Sequence, residues 1–157
     1  MPAVSDASPL ILLEKADCLR LLEKLFGKIL IPPAVDKEWL RPGGYITPQW
    51  LSVVNLSKDA LHVAEDMSQR IDRGEAEAIA LFSSVKADWL LLDDLKARRH
   101  AMSLGIPVVG TLGILVAARQ KGMIPKLAPV LDILKSSRFY ISDETFKKAL
   151  MLVNEAD

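Results

Sequence analysis

Two short apolar runs of this 157-residue chain end in carboxylates. Asp6 follows Ala-Val-Ser, and Asp93-Asp94 follow Trp-Leu-Leu-Leu. Glu38 stands just beyond ILIPPAV, and Glu75 and Glu77 open the stretch GEAEAIAL. Carboxylates brought to one place repel each other unless a hard cation such as Mg²⁺ or Mn²⁺ bridges them. Such an acidic centre is suited to cleaving phosphate esters. Each acid also has a plainer use. Asp6, ahead of Ser-Pro, and Asp94, ahead of Leu-Lys-Ala-Arg-Arg, are good helix caps. Glu38, Glu75 and Glu77 suit solvated helix faces.

Other chemistries find no support. Neither G-x-x-x-x-G-K-[ST] nor G-x-G-x-x-G occurs, and Gly110-Thr111-Leu112-Gly113 suits a strand-to-helix turn instead. No G-x-S-x-G elbow is present, and Ser8 has no base partner at catalytic spacing. Cys18 is the only cysteine, and His62 and His100 are the only histidines. Internal disulfides, all-cysteine metal sites and a three-histidine zinc centre are thereby excluded.

The chain carries 20 basic and 20 acidic residues, which argues against a generally basic nucleic-acid coat and against polybasic membrane adhesion. Half the residues are apolar and the mean hydropathy is +0.22. That is ample for a core and points to a second apolar surface, as a homodimer or partner complex would need. The N-terminus lacks a basic segment before its apolar run, and no stretch nears the roughly 20 residues of a membrane span. A reduced cytoplasmic protein is expected.

The acids must be held by the elements around them. Short continuous apolar runs at 3–5, 28–31, 51–56, 89–92 and 107–109 read as strands covered on both faces. Helical patterns at 9–15, 18–26, 33–40, 58–71, 74–86, 95–104, 111–121, 126–137 and 143–155 separate or follow them, with Asp17 as the cap of the second. The Gly- and Pro-rich run 41–48 reads as a loop. Phe146, Leu150 and Val153 form one stripe of the last helix, suited to packing or dimerisation. Trp39, Trp50 and Trp89 suit core or interface positions better than base stacking. The pattern predicts one α/β domain, a parallel sheet of about five strands with helices on both faces. Ligands of such sheets bind beyond the carboxyl ends of the strands, where strand order reverses. With the first strand beside the fourth, Asp6 and Asp94 would face one crevice.

In order along the chain, VSDASPLILLEK, ILIPPAVDKEW, GEAEAIAL, LLLDDLKARR and GIPVVGTLGIL resemble the PIN-domain nucleases. The similarity is closest to a prokaryotic PIN-like subgroup related to VapC-type toxins, and it runs from Val4 to about Leu152. It implies a Mg²⁺-dependent ribonuclease of toxin type, paired with an antitoxin, hydrolysing phosphodiester bonds with a metal-activated water. It implies Asp6 as the first acid with Ser8 beside it, Glu38 as the second, and Asp94 as the fourth with Asp93 as alternative or helper. The third falls in GEAEAIAL. Glu77 aligns better than Glu75, and residues two apart on a helix point roughly 200° apart, so one of the two would serve. Ser8 would hold Asp6 or contact the phosphate. Two features depart from the family pattern: the third acid is Glu rather than Asp, and Leu92 stands where Ser or Thr is common.

Setting aside Asp6, Glu38, Glu75, Glu77, Asp93 and Asp94 leaves the rest of the chain basic by the same six charges, enough for a phosphate-binding rim. Lys96, Arg98 and Arg99, with His100, follow Asp94 directly and would supply it, although a solvated helix face explains each of them singly. Two other functions suit the same acids: partner binding by a catalytically decayed PIN fold, and metal-dependent hydrolysis of small phosphoesters.

Overall fold

A computed structural model describes residues 1–44, 46–137 and 139–155. Five parallel strands form one sheet, β1 (Ala3–Ser5), β2 (Ile29–Ile31), β3 (Leu51–Val53), β4 (Trp89–Leu91) and β5 (Val108–Val109), in the order β3-β2-β1-β4-β5. β1 is central. Its Ala3, Val4 and Ser5 pair with Trp89, Leu90 and Leu91 of β4, so the predicted adjacency of the first and fourth strands is present. The chain moves outward from β1 through β2 to β3, then crosses back to β4 and β5. The reversal lies between β1 and β4, beside Asp6 and Asp93-Asp94.

The two-residue alternation of a strand sorts side chains to opposite faces. Ala3, Ile29, Ile31 and Leu91 enter one core layer, and Val4, Leu90 and Leu92 enter the other. The first layer is closed by α1 (Ala7–Lys15), α2 (Leu21–Phe26), α8 (Thr111–Gln120), α9 (Ala128–Ser136) and α10 (Asp143–Leu152). The second is closed by α5 (Lys58–Met67), α6 (Arg73–Ser84) and α7 (Leu95–Ser103). Between β2 and β3 run α3 (Pro33–Val35), a π-helical turn (Asp36–Leu40) and α4 (Arg41–Gly43). Helices thus cover both faces of the sheet.

Several boundaries differ from the expectation. Asp17 does not cap the second helix. It adopts a left-handed φ of 55°, and Cys18 N–H donates to Leu13 O at 2.7 Å, so these residues close α1 instead. The expected helix 33–40 is interrupted, because its second half widens into the π turn that buries Trp39 and Leu40 and leaves Glu38 outside. The expected loop 41–48 starts with the helical turn α4, and Tyr45 within it lies outside the described residues. The stripe of α10 packs inward: Val153 is buried, and Phe146 and Leu150 pack on the same layer. Beyond it, the Glu155 carboxylate accepts from the N–H groups of Leu127 and Ala128 and from Arg119 Nε at 3.1 Å. Desolvation pushes that carboxyl up, but these donors outweigh it and hold it below the usual range. No helix among the described residues is long and apolar enough to cross a membrane.

Candidate functional site

Beyond the carboxyl ends of β1 and β4 opens a crevice of about 510 Å³, lined by Asp6, Glu38, Asp72, Glu75, Asp93 and Asp94. The elements aim these acids in different ways. Asp6 continues β1, its N–H donating to Leu91 O at 3.0 Å, and only 5% of the residue is exposed. Alternation along the strand turns it to the side of Val4, where α6 begins. Glu38 arrives from the π turn after β2, a helical distortion that recurs at functional sites. Asp72 and Glu75 arrive together as a capping box: Asp72 Oδ1 accepts from Glu75 N–H at 2.8 Å, and Glu75 Oε1 accepts from Asp72 N–H at 3.2 Å. Asp94 caps α7, accepting from Ala97 N–H at 3.0 Å, while lining the crevice.

Gly74 measures the convergence. A Cβ built on it would lie 3.1 Å from Asp6 Oδ1, 3.4 Å from Glu38 Oε2 and 3.6 Å from Asp72 Oδ1. Three carboxylate oxygens therefore surround one point. No ion pair of the described residues includes Asp6, Glu38, Asp72, Glu75 or Asp94. The electrostatic result is large. Burial, opposed by the Ala7 N–H and reinforced by Asp72, Glu75 and Glu38, raises Asp6 from 3.8 to about 8. Burial and Asp72, with smaller contributions from Asp94 and Glu38, raise Glu75 from 4.5 to about 7. Desolvation and Asp72 also push Glu38 up. At neutral pH Asp6 is mostly protonated, and Glu75 is divided between its two forms.

The structure places Glu75 in the crevice and Glu77 outside it, the reverse of the preferred alignment. Glu77 turns away from the crevice, where its Oε1 accepts from Ala34 N–H at 2.9 Å and its Oε2 from Arg73 Nε at 2.7 Å. The first ties α6 to the start of α3, the second lies within α6, and together they satisfy a carboxylate that is only 6% exposed. The expected action of Ser8 on Asp6 is corrected too. Ser8 Oγ donates to Asp93 Oδ2 at 3.1 Å, and Asp93 also accepts from Thr111 N–H and Thr111 Oγ1, both at 2.7 Å. Asp93 thus fastens the crevice floor to α1 and to the start of α8. A Cβ at Gly110 would meet Asp93 Oδ1 at 2.9 Å, so this close approach needs glycine. Arg98 lies back against β4, Nη1 donating to Leu92 O at 3.4 Å, while Lys96 and Arg99 line a different groove. None of the three expected rim cations lines the crevice. Lys15 does.

Sequence reasoning missed Asp72 and Lys15. Asp-Arg-Gly-Glu has the spacing of a capping box, the signal that could have put Asp72 at the mouth of the same helix as Glu75, but capping alone does not announce a crevice. Gly74→Ala tests the packing there. Alanine is the better helix former by about 1 kcal/mol. Against that gain stands the tight contact of the new Cβ with Asp6 Oδ1, so the variant is expected to keep its fold while Asp6 and Glu38 shift by a few tenths of an ångström and divalent-cation binding weakens about tenfold. Melting curves with and without Mg²⁺ measure both.

The donor set consists of hard oxygens, with neither histidine nor cysteine, which suits Mg²⁺ or Mn²⁺. Among the described residues, no group of three or more His, Cys, Asp or Glu side chains is disposed to hold a metal ion. Mg²⁺ commonly keeps several waters and takes one or two carboxylates, so it does not need a cage of three protein ligands. A family model described as DUF3368, a PIN domain, matches residues 2–155. Neither the curated proteins nor the solved structures give a match.

Proposed function

The chain belongs to the PIN-domain family, whose fold is of nuclease type, and from that premise we propose that it is a divalent-cation-dependent ribonuclease of toxin type. The observation that supports this most is the convergence of Asp6, Glu38, Asp72, Glu75 and Asp94 where strand order reverses, none of them in an ion pair among the described residues. Asp6 and Asp94 would hold Mg²⁺ or Mn²⁺, with Glu38, Glu75 and Asp72 acting through water. When bound, such an ion offsets the charge that develops in phosphodiester cleavage and lowers the pKa of water.

The remaining work falls to the chain itself. Glu38 and Glu75 orient water around the crevice, and Lys15 meets the incoming phosphate. Asp93, bracketed by Ser8 and Thr111, is a positioning residue that keeps the ends of β1 and β4 in register. The single cysteine suits a reducing compartment. Toxin-type members of the family act under a bound antitoxin, so a copurifying small protein and a dimeric scattering mass belong to the same reading.

The test is cleavage of single-stranded RNA, expected with Mg²⁺ or Mn²⁺, abolished by EDTA and restored on adding the ion back. Hydrolysis of a small phosphomonoester with RNA left intact would replace this reading with that of a phosphatase.

A further inference from the structure

Beside the crevice, between α5 and α7, lies a second groove of about 520 Å³. Its floor is apolar, with Val63, Met67 and Ile71, and its walls carry Arg70, Lys96, Arg99 and His100 against one acid, Asp66. Lys96, Arg99 and His100 stand at i, i+3 and i+4, the spacing that brings three side chains to one face of a helix. The groove is continuous in chain with the acid crevice on both sides. Arg70 is two residues from Asp72, and Lys96 is two residues from Asp94. At about 1.5 Å per residue, Arg99 stands about 7.5 Å along α7 from Asp94.

We propose that this groove holds the single-stranded RNA flanking the scissile phosphate, its base on the apolar floor and its backbone on Arg70, Lys96 and Arg99. The inference rests on the nuclease reading of the crevice. One occupant spans an acidic and a basic surface when it is the strand whose phosphodiester enters the first. An apolar floor beneath cationic walls matches the two halves of a nucleotide. An acidic peptide would match the walls, but it gives no reason for Arg70 and Lys96 to stand two residues from the crevice acids Asp72 and Asp94.

The experiment measures binding of a fluorescent single-stranded RNA 12-mer to the full-length protein in EDTA, across a range of salt concentrations. Each phosphate contact on a single strand contributes about 0.7 to the slope of log affinity against log salt. Lys96→Gln/Arg99→Gln should therefore lower that slope by about 1.4. Both side chains are exposed and glutamine is a good helix former, so the fold is retained. Lys147→Gln, an exposed lysine on α10, should leave the slope as in wild type. A slope that the double variant does not change overturns the groove assignment and leaves the nuclease reading standing. Displacement of the RNA by polyglutamate at matched ionic strength, with the slope unaltered in the variant, assigns the groove to a protein and overturns it equally. Wild type that neither binds nor cleaves RNA brings down both.

Discussion

Asp6→Asn is expected to raise the melting temperature of the metal-free protein at pH 8 by about 5 °C. Folding carries this carboxyl from 3.8 to about 8. Each unit of displacement is worth about 1.4 kcal/mol, and 1 kcal/mol moves the melting point of a domain this size by about 2–4 °C. Five degrees thus allows for extensive relaxation around the charge. The sign follows from the direction of the shift. A raised folded pKa favours the native state fully below the ordinary value near 3.8, and that contribution is lost as pH rises through 8. The variant cannot ionise, so its advantage over wild type should be near zero at pH 4 and grow up to pH 8. Mg²⁺ should reverse the order. At 100 times its dissociation constant it should stabilise wild type by about 2.7 kcal/mol and Asp6→Asn by far less, with cleavage lost alongside. If Asp6 only capped α1, asparagine would serve as well, and melts with and without Mg²⁺ would coincide at every pH.

Glu75→Gln and Glu77→Gln should fail in different ways. In Glu75→Gln the side-chain amide oxygen can still complete the capping box, so the fold should hold. The carboxylate proposed to act on the ion through water is removed, however, and cleavage should fall by about 10- to 100-fold. In Glu77→Gln the amide oxygen can still accept from Ala34 N–H, but the ion pair with Arg73 is lost from a largely buried position. That variant should lose about 1 kcal/mol of stability and keep its turnover within a few-fold. Urea melts and steady-state kinetics on the purified variants separate the two. If Glu77→Gln proved the more damaging to turnover, Glu75 would not be the acid that α6 contributes.

Much of this was legible in the chain, for reasons of unequal strength. Short, largely apolar strands ending in Asp6 and Asp93 pointed to a buried parallel sheet, because strands covered on both faces are apolar at nearly every position. Adjacency of β1 and β4 followed from the two acids sharing a strand-end position. The side of α6 facing the crevice was not legible. Glu75 and Glu77 have the same side chain, and their directions depend on where α6 starts. Asp72 starts it by capping, which turns Glu75 inward and leaves Glu77 to the N–H of Ala34. The destination of Lys96, Arg98 and Arg99 was hidden for a similar reason: neighbouring cations on a helix diverge around it. Arg98 returns to Leu92, while Lys96 and Arg99 face α5. The π turn that delivers Glu38 has no sequence mark beyond the crowding of Trp39 and Leu40 inward.

The central claim, that the crevice of Asp6, Glu38, Asp72, Glu75 and Asp94 is a divalent-cation site, is tested most directly by the protons it gives up. A cation takes the ionised form of its ligands, so binding must displace protons that folding has retained. With Asp6 raised to about 8 and Glu75 to about 7, Mg²⁺ binding at pH 7 should release about one proton or more. At about pH 9.5, where both are ionised, it should release almost none. Titration calorimetry in buffers of different ionisation enthalpy counts those protons. Release that is present at neutral pH, vanishes in the alkaline range and drops in Asp6→Asn is the predicted result. Mg²⁺ binding with no proton release at neutral pH, or no Mg²⁺ binding at all, would contradict it.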